Sequence, residues 1–156
     1  HVFGDLHFET SDDVAKNWES IKLAEGNSVL QGVPNKLPAL IKAFRIQEKV
    51  SGVGFDWKEK EDVSEKILEE LSELKIEIKK RDNNAIELEF GDFLFSVVNY
   101  ARSLNIDPEI ALEKSNKKFI NRFKKMEFEV KKRGLNINGI KIDEMNFFWE
   151  KAKKNN

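Results

Sequence analysis

Two helical patterns meet at Asp82-Asn83-Asn84, and this junction constrains the fold more than any other stretch of the chain. The three side chains favour a turn, and so short a connection makes the flanking helices antiparallel neighbours. Before it, Val63, Ile67, Leu71, Leu74 and Ile78 recur at helical spacing, with Glu70, Glu73 and Glu77 running beside them. After it, Phe90, Leu94, Val97, Val98 and Ala101 share one face, which reads as the core stripe. Glu89, Asp92, Ser96 and Asn99 form a narrow band opposite, flanked by Leu88, Phe93, Phe95 and Tyr100. A helix apolar nearly all round is a buried helix. Its polar band is therefore expected to be covered too, and buried carboxylates need partners.

Each helix offers two carboxylates at i, i+3: Glu70 with Glu73, and Glu89 with Asp92. A hairpin that brings the four together needs counter-charge, and Mg²⁺ or Mn²⁺ with oxygen ligands supplies it. Glu70, Glu73, Glu89 and Asp92 are therefore the expected metal ligands. Glu69 is a further candidate, as outer support for the ligands or as a base. Asn99 shares the face of Asp92 and is a candidate contact to metal-bound water or to a sugar. The competing reading is a solvated acidic stripe. It suits Glu61, Glu65 and Glu77, but it suits Glu89 and Asp92 poorly because of their aromatic neighbours.

Composition narrows the chemistry. At 156 residues with twelve Phe the chain is one domain with a sizeable core. Charged residues make up 35% but balance to a net charge of −1, so no nucleic-acid partner is expected. The chain has no Cys and only two His, His1 and His7, and carries neither a Ser/His/Asp constellation nor a Walker loop. Metal-assisted attack by water remains. No apolar run reaches membrane-spanning length and no signal-peptide pattern opens the chain, so a cytoplasmic, membrane-free protein is expected. The first residue is His1 rather than Met, which reads as a fragment or a trimmed chain.

In chain order, residues 1–10 read as an arm or linker and 11–156 as a single all-α domain: five or six helices around a four-helix core. Ser11 caps a helix to about Ala24 that carries Trp18. Pro38 opens a second, to about Val50. Phe55-Asp56-Trp57 is an aromatic connector, either a hydrophobic plug or a substrate contact. Pro108 opens a helix that stops at Gly134. Lys114, Lys118, Arg122 and Lys125 form a basic stripe on it, which as a pattern alone is a solvated face. Asp143 caps a last helix to about Lys153. Phe147, Phe148 and Trp149 are adjacent there and cannot all face one core.

The series Glu69-Glu70-Leu71-Ser72-Glu73, a spacer, then Glu89-Phe90-Gly91-Asp92 with an apolar run behind it, resembles the MazG-type nucleoside triphosphate pyrophosphohydrolases. The resemblance extends to His1-Val2-Phe3-Gly4-Asp5, Trp18-Glu19-Ser20-Ile21-Lys22, Pro38-Ala39-Leu40, Gly54-Phe55-Asp56-Trp57, Asn99-Tyr100-Ala101-Arg102, Lys118-Phe119-Ile120-Asn121-Arg122-Phe123 and Trp149-Glu150, in family order. It is greatest with the C-terminal, catalytic half of two-domain members. The resemblance implies Mg²⁺-dependent hydrolysis of NTPs and dNTPs to monophosphate and pyrophosphate by a homodimer, with the site close to the subunit interface. It implies that Lys118 and Arg122 contact the triphosphate, that Trp149 lies near the base, and that the Trp18 segment lies near the site. The alternative is a helical binding module that senses nucleotide or metal without turnover.

Overall fold

Pro38, with no N–H to leave unpaired, precedes the first helix of the computed structural model, which describes residues 28–154. That helix, α1, is Ala39–Gly52. It is followed by α2 (Lys60–Lys80), α3 (Asn83–Ser103), α4 (Pro108–Lys132), a single 3₁₀ turn (Ile137–Gly139) and α5 (Ile142–Lys154). The described residues contain no strand, so the all-α expectation holds. The expected helix from Ser11 to Ala24, together with Trp18, His1 and His7, lies outside the described residues. The described residues up to Pro108 and those from Glu109 onward form two compact units.

In the first unit α2 packs along α3, and α1 packs on α3. The turn between α2 and α3 is tighter than Asp82-Asn83-Asn84 suggests. Arg81 takes a left-handed conformation (φ 62°) and its N–H reaches Glu77 O at 2.9 Å. Asp82 is the cap: its Oδ1 accepts from Asn84 N at 3.1 Å and Ala85 N at 3.2 Å. Asn83 and Asn84 are already helical, because a carboxylate that satisfies two orphan N–H groups starts the helix at once.

Val63, Leu74 and Val98 are buried between these helices, each contributing roughly 1.5–3 kcal/mol. Three polar side chains are buried with them, Gln47, Glu70 and Ser96. Gln47 Nε2 donates to Phe95 O at 2.9 Å and ties α1 to α3. The expected core stripe of α3 is a correction. Of that stripe Val98 is buried as expected, but Phe90, Leu94 and Val97 are exposed, while Ser96 of the polar band is buried. The band that carries Glu89 is the one turned to α2. On a helix apolar nearly all round, periodicity does not say which face meets its neighbour. Ile78 of the α2 stripe is likewise exposed.

The second unit is built on Met126, Val130 and Phe148, with Phe123, Ile137, Ile140 and Trp149 against them. Gly134 ends α4 at φ 71°, where a side chain would be strained. Lys151 Nζ bonds Glu129 Oε2 at 2.8 Å and joins α5 to α4. Arg133 lies over the rings of Phe148 and Phe147. Asp143 falls within the first turn of α5 and not at its cap. The three adjacent aromatics diverge as expected: Phe148 is buried, Phe147 exposed and Trp149 half-buried.

Candidate metal centre

Counted outward from the Arg81–Asp82 turn, Glu73 and Glu89 each stand about two helical turns away, so an antiparallel pair holds them level. Glu70 lies one turn beyond Glu73 on the same side of α2. Oxygens from Glu70, Glu73 and Glu89 accordingly all lie within 4.8 Å of one another. Glu70 is buried, Glu89 half-buried and Glu73 exposed, so the cluster opens on one side to solvent.

Asp92 is exposed and is not one of those three. Its charge is nonetheless felt at Glu89. Burial pushes the Glu89 carboxyl above the ordinary carboxylate range, and the charges of Glu73, Asp92, Glu70 and Glu77 push it further. Glu77 is therefore closer to the site than a solvated acid. It is half-buried, with its Oε1 2.6 Å from Lys80 Nζ. Glu61 and Glu65 are exposed, as expected.

Lys66 is the participant that the sequence reading missed. Its Nζ lies 2.8 Å from Glu70 Oε1 and 3.0 Å from Glu69 Oε1. Hydrogen bonds to Glu70 and then Glu69 hold its ammonium well above the usual lysine range. The i, i+4 spacing from Lys66 to Glu70 was the available signal.

At the far end of α3 a second polar cluster fixes the connector. Asp56 and Arg102 pair through two oxygens and two nitrogens, Nη1 to Oδ2 at 2.8 Å and Nη2 to Oδ1. Ser51 Oγ donates to Asp56 Oδ2 at 2.6 Å, and Trp57 N to Oδ1 at 2.9 Å. Burial pushes the Asp56 carboxyl up. The bonds from Arg102, Ser51 and Trp57 outweigh it and leave the group below its ordinary value. Asn99 Oδ1 accepts from Arg102 Nε at 3.1 Å and Nη2 at 2.8 Å. Phe55 and Trp57 are exposed, so the connector is not a hydrophobic plug.

The remaining candidates belong to the second unit. Lys118 is exposed and Arg122 half-buried, and Arg122 Nε is buried with no hydrogen-bond partner among the described residues. The two Phe between and beside them stack at 6.0 Å, and Trp149 rests on Phe119 at 5.1 Å. An open cleft of about 300 Å³ in this unit is lined by Lys124, Lys125, Phe128, Glu129, Lys151 and Ala152, and none of the candidate site residues lines it.

Comparison with known proteins bears on this geometry. Residues 58–127 match the MazG nucleotide pyrophosphohydrolase domain, a span that holds all the carboxylates of the cluster. This stretch is a MazG-type domain. The chain is 48% identical over 157 residues to the nucleoside triphosphate pyrophosphohydrolase/pyrophosphatase MazG of Thermotoga maritima, covering 98% of this chain and 59% of that protein. It is 40% identical over 161 residues to the nucleoside triphosphate pyrophosphohydrolase of Escherichia coli, covering 99% of this chain and 61% of that protein. The chain thus spans about three fifths of the length of each of these two relatives. Among the described residues no helix is long and apolar enough to cross a membrane.

Proposed function

We propose that this chain hydrolyses nucleoside triphosphates, with ribose or deoxyribose, to monophosphate and pyrophosphate, using Mg²⁺ or Mn²⁺. The observation that carries the reading is the convergence of Glu70, Glu73 and Glu89 within 4.8 Å. That donor set suits a hard divalent cation, which takes oxygen ligands and offsets their mutual repulsion. Glu70, Glu73 and Glu89 would hold it, with Asp92 joining from α3. Such an ion supplies neutralisation of phosphate charge and Lewis-acid polarisation at phosphorus.

The chain's own groups do the rest. Glu69 is half in solvent beside the cluster, and as a base it would take a proton from the attacking water. Lys118 and Arg122 would neutralise the phosphate tail. The unpaired Nε of Arg122 supports this, since a buried donor without a partner is costly unless a ligand completes it. Trp149, backed by Phe119, would stack on the base without selecting it. Asn99 would offer the sugar its amide N–H, its oxygen being taken by Arg102.

The working unit in this reading is a cytoplasmic homodimer, with no nucleic-acid or membrane partner. Phe90, Leu94 and Val97 support the dimer, because they form an exposed apolar stripe along α3 that a second copy would cover. Phosphorus NMR of a panel of NTPs and dNTPs with Mg²⁺ tests the chemistry. Monophosphate and pyrophosphate are expected. Orthophosphate and diphosphate as primary products would falsify it, and binding without turnover would make the chain a sensing module.

A further inference from the structure

Glu70 has a cation of its own before any ion arrives. Lys66 Nζ lies 2.8 Å from its Oε1, and the Glu70 side chain is only 9% exposed. The same ammonium holds Glu69 at 3.0 Å. One positive charge thus serves two adjacent acids at the edge of a cluster whose other members, Glu73 and Glu89, it does not neutralise.

We propose that Lys66 is a built-in counter-ion that sets the divalent-cation affinity of the centre. It and a cation held by Glu70 would draw on the same carboxylate charge and would repel one another. The pair is also suited to letting go. Lysine stands N-terminal to glutamate at i, i+4, the weaker of the two orientations on a helix. The lysine side chain is 33% exposed and can swing to water. The consequence is a centre that binds free cation weakly and fills when a polyphosphate brings further oxygens and negative charge. Lys66 is then a positioning residue that makes loading depend on substrate.

This rests on Glu70, Glu73 and Glu89 being cation ligands, and the experiment separates the two claims. Mn²⁺ is titrated into the full chain by calorimetry, without nucleotide, for wild type, Lys66→Met, Lys66→Gln and Lys66→Arg. Melting in chelator is followed for each. Lys66→Met and Lys66→Gln should bind Mn²⁺ about tenfold more tightly than wild type and melt lower in chelator, while Lys66→Arg stays within about twofold. If wild type binds Mn²⁺ but Lys66→Met and Lys66→Gln bind it equally or more weakly, Lys66 merely orients Glu70 and the proposal is overturned. If neither wild type nor any Lys66 variant binds Mn²⁺, the ligand assignment falls and this role falls with it. Should Lys66→Met fail to fold, the contrast between Lys66→Gln and Lys66→Arg decides the question alone.

Discussion

The Asp56–Arg102 pair should hold the connector to the end of α3, and its strength can be worked from its surroundings. The two side chains are 30% and 15% exposed, so the pair is neither fully solvated nor fully buried. An exposed pair contributes about 0–1 kcal/mol. Hydrogen bonds to charged groups contribute about 1.5–3 kcal/mol when solvent is excluded. A forked, partly covered pair falls between, and we expect a coupling of about 1–2 kcal/mol in a double-mutant cycle of Asp56→Ala and Arg102→Ala. Each single variant should melt several degrees lower, at about 2–4 °C per kcal/mol for a chain of this length. Arg102→Lys should recover only part of the loss, since lysine cannot bridge both oxygens.

The pH dependence has a definite sign. Asp56 is held below its ordinary value, so its contribution is present above the unfolded pKa of about 3.9 and fades as pH falls through the folded value. The assay is urea or thermal unfolding of the four proteins at neutral and acid pH. A coupling under about 0.3 kcal/mol at neutral pH, or one that survives full protonation of Asp56, would refute the reasoning.

Three further outcomes follow from the site. Glu70→Gln, Glu73→Gln and Glu89→Gln should each lower kcat/KM by well over about tenfold, the loss that even outer partners of a metal site cost, while Glu65→Gln leaves it unchanged in the same assay. In chelator, melting curves of Glu89→Gln should gain on wild type as pH rises from about 4 to 7. A carboxyl raised in the fold binds an extra proton below its folded pKa, and wild-type stability falls as that proton is lost. Lys118→Ala and Arg122→Ala should weaken nucleotide binding or turnover far more than Lys125→Ala, measured by steady-state kinetics.

Much of this was legible in the residues because the relevant physics is local. The hairpin follows from a capping Asp between two amphipathic runs, and Pro108 and Gly134 bound α4 by restricting or freeing φ. The register of an antiparallel pair then makes Glu73 face Glu89. What failed was the choice of face on α3, where Phe90, Leu94 and Val97 read as core and are exposed. Periodicity reports that residues share a side, and it is silent on whether that side meets its own chain or another. The pairing of Asp56 is not legible in the sequence. Its partners Arg102 and Ser51 lie on different helices, and no spacing rule connects them. Lys66 sat in plain view at helical spacing, but a lysine among acids reads as solubility until distances show whom it holds.

The most direct test of the account is whether these carboxylates hold a cation between α2 and α3. Electron paramagnetic resonance of Mn²⁺ with wild type, Glu73→Gln and Glu65→Gln, each in the presence of a non-hydrolysable triphosphate, reads this without turnover. The account predicts bound Mn²⁺ for wild type and Glu65→Gln and its loss in Glu73→Gln, with all three equally helical by circular dichroism. Equal Mn²⁺ binding by all three would contradict it.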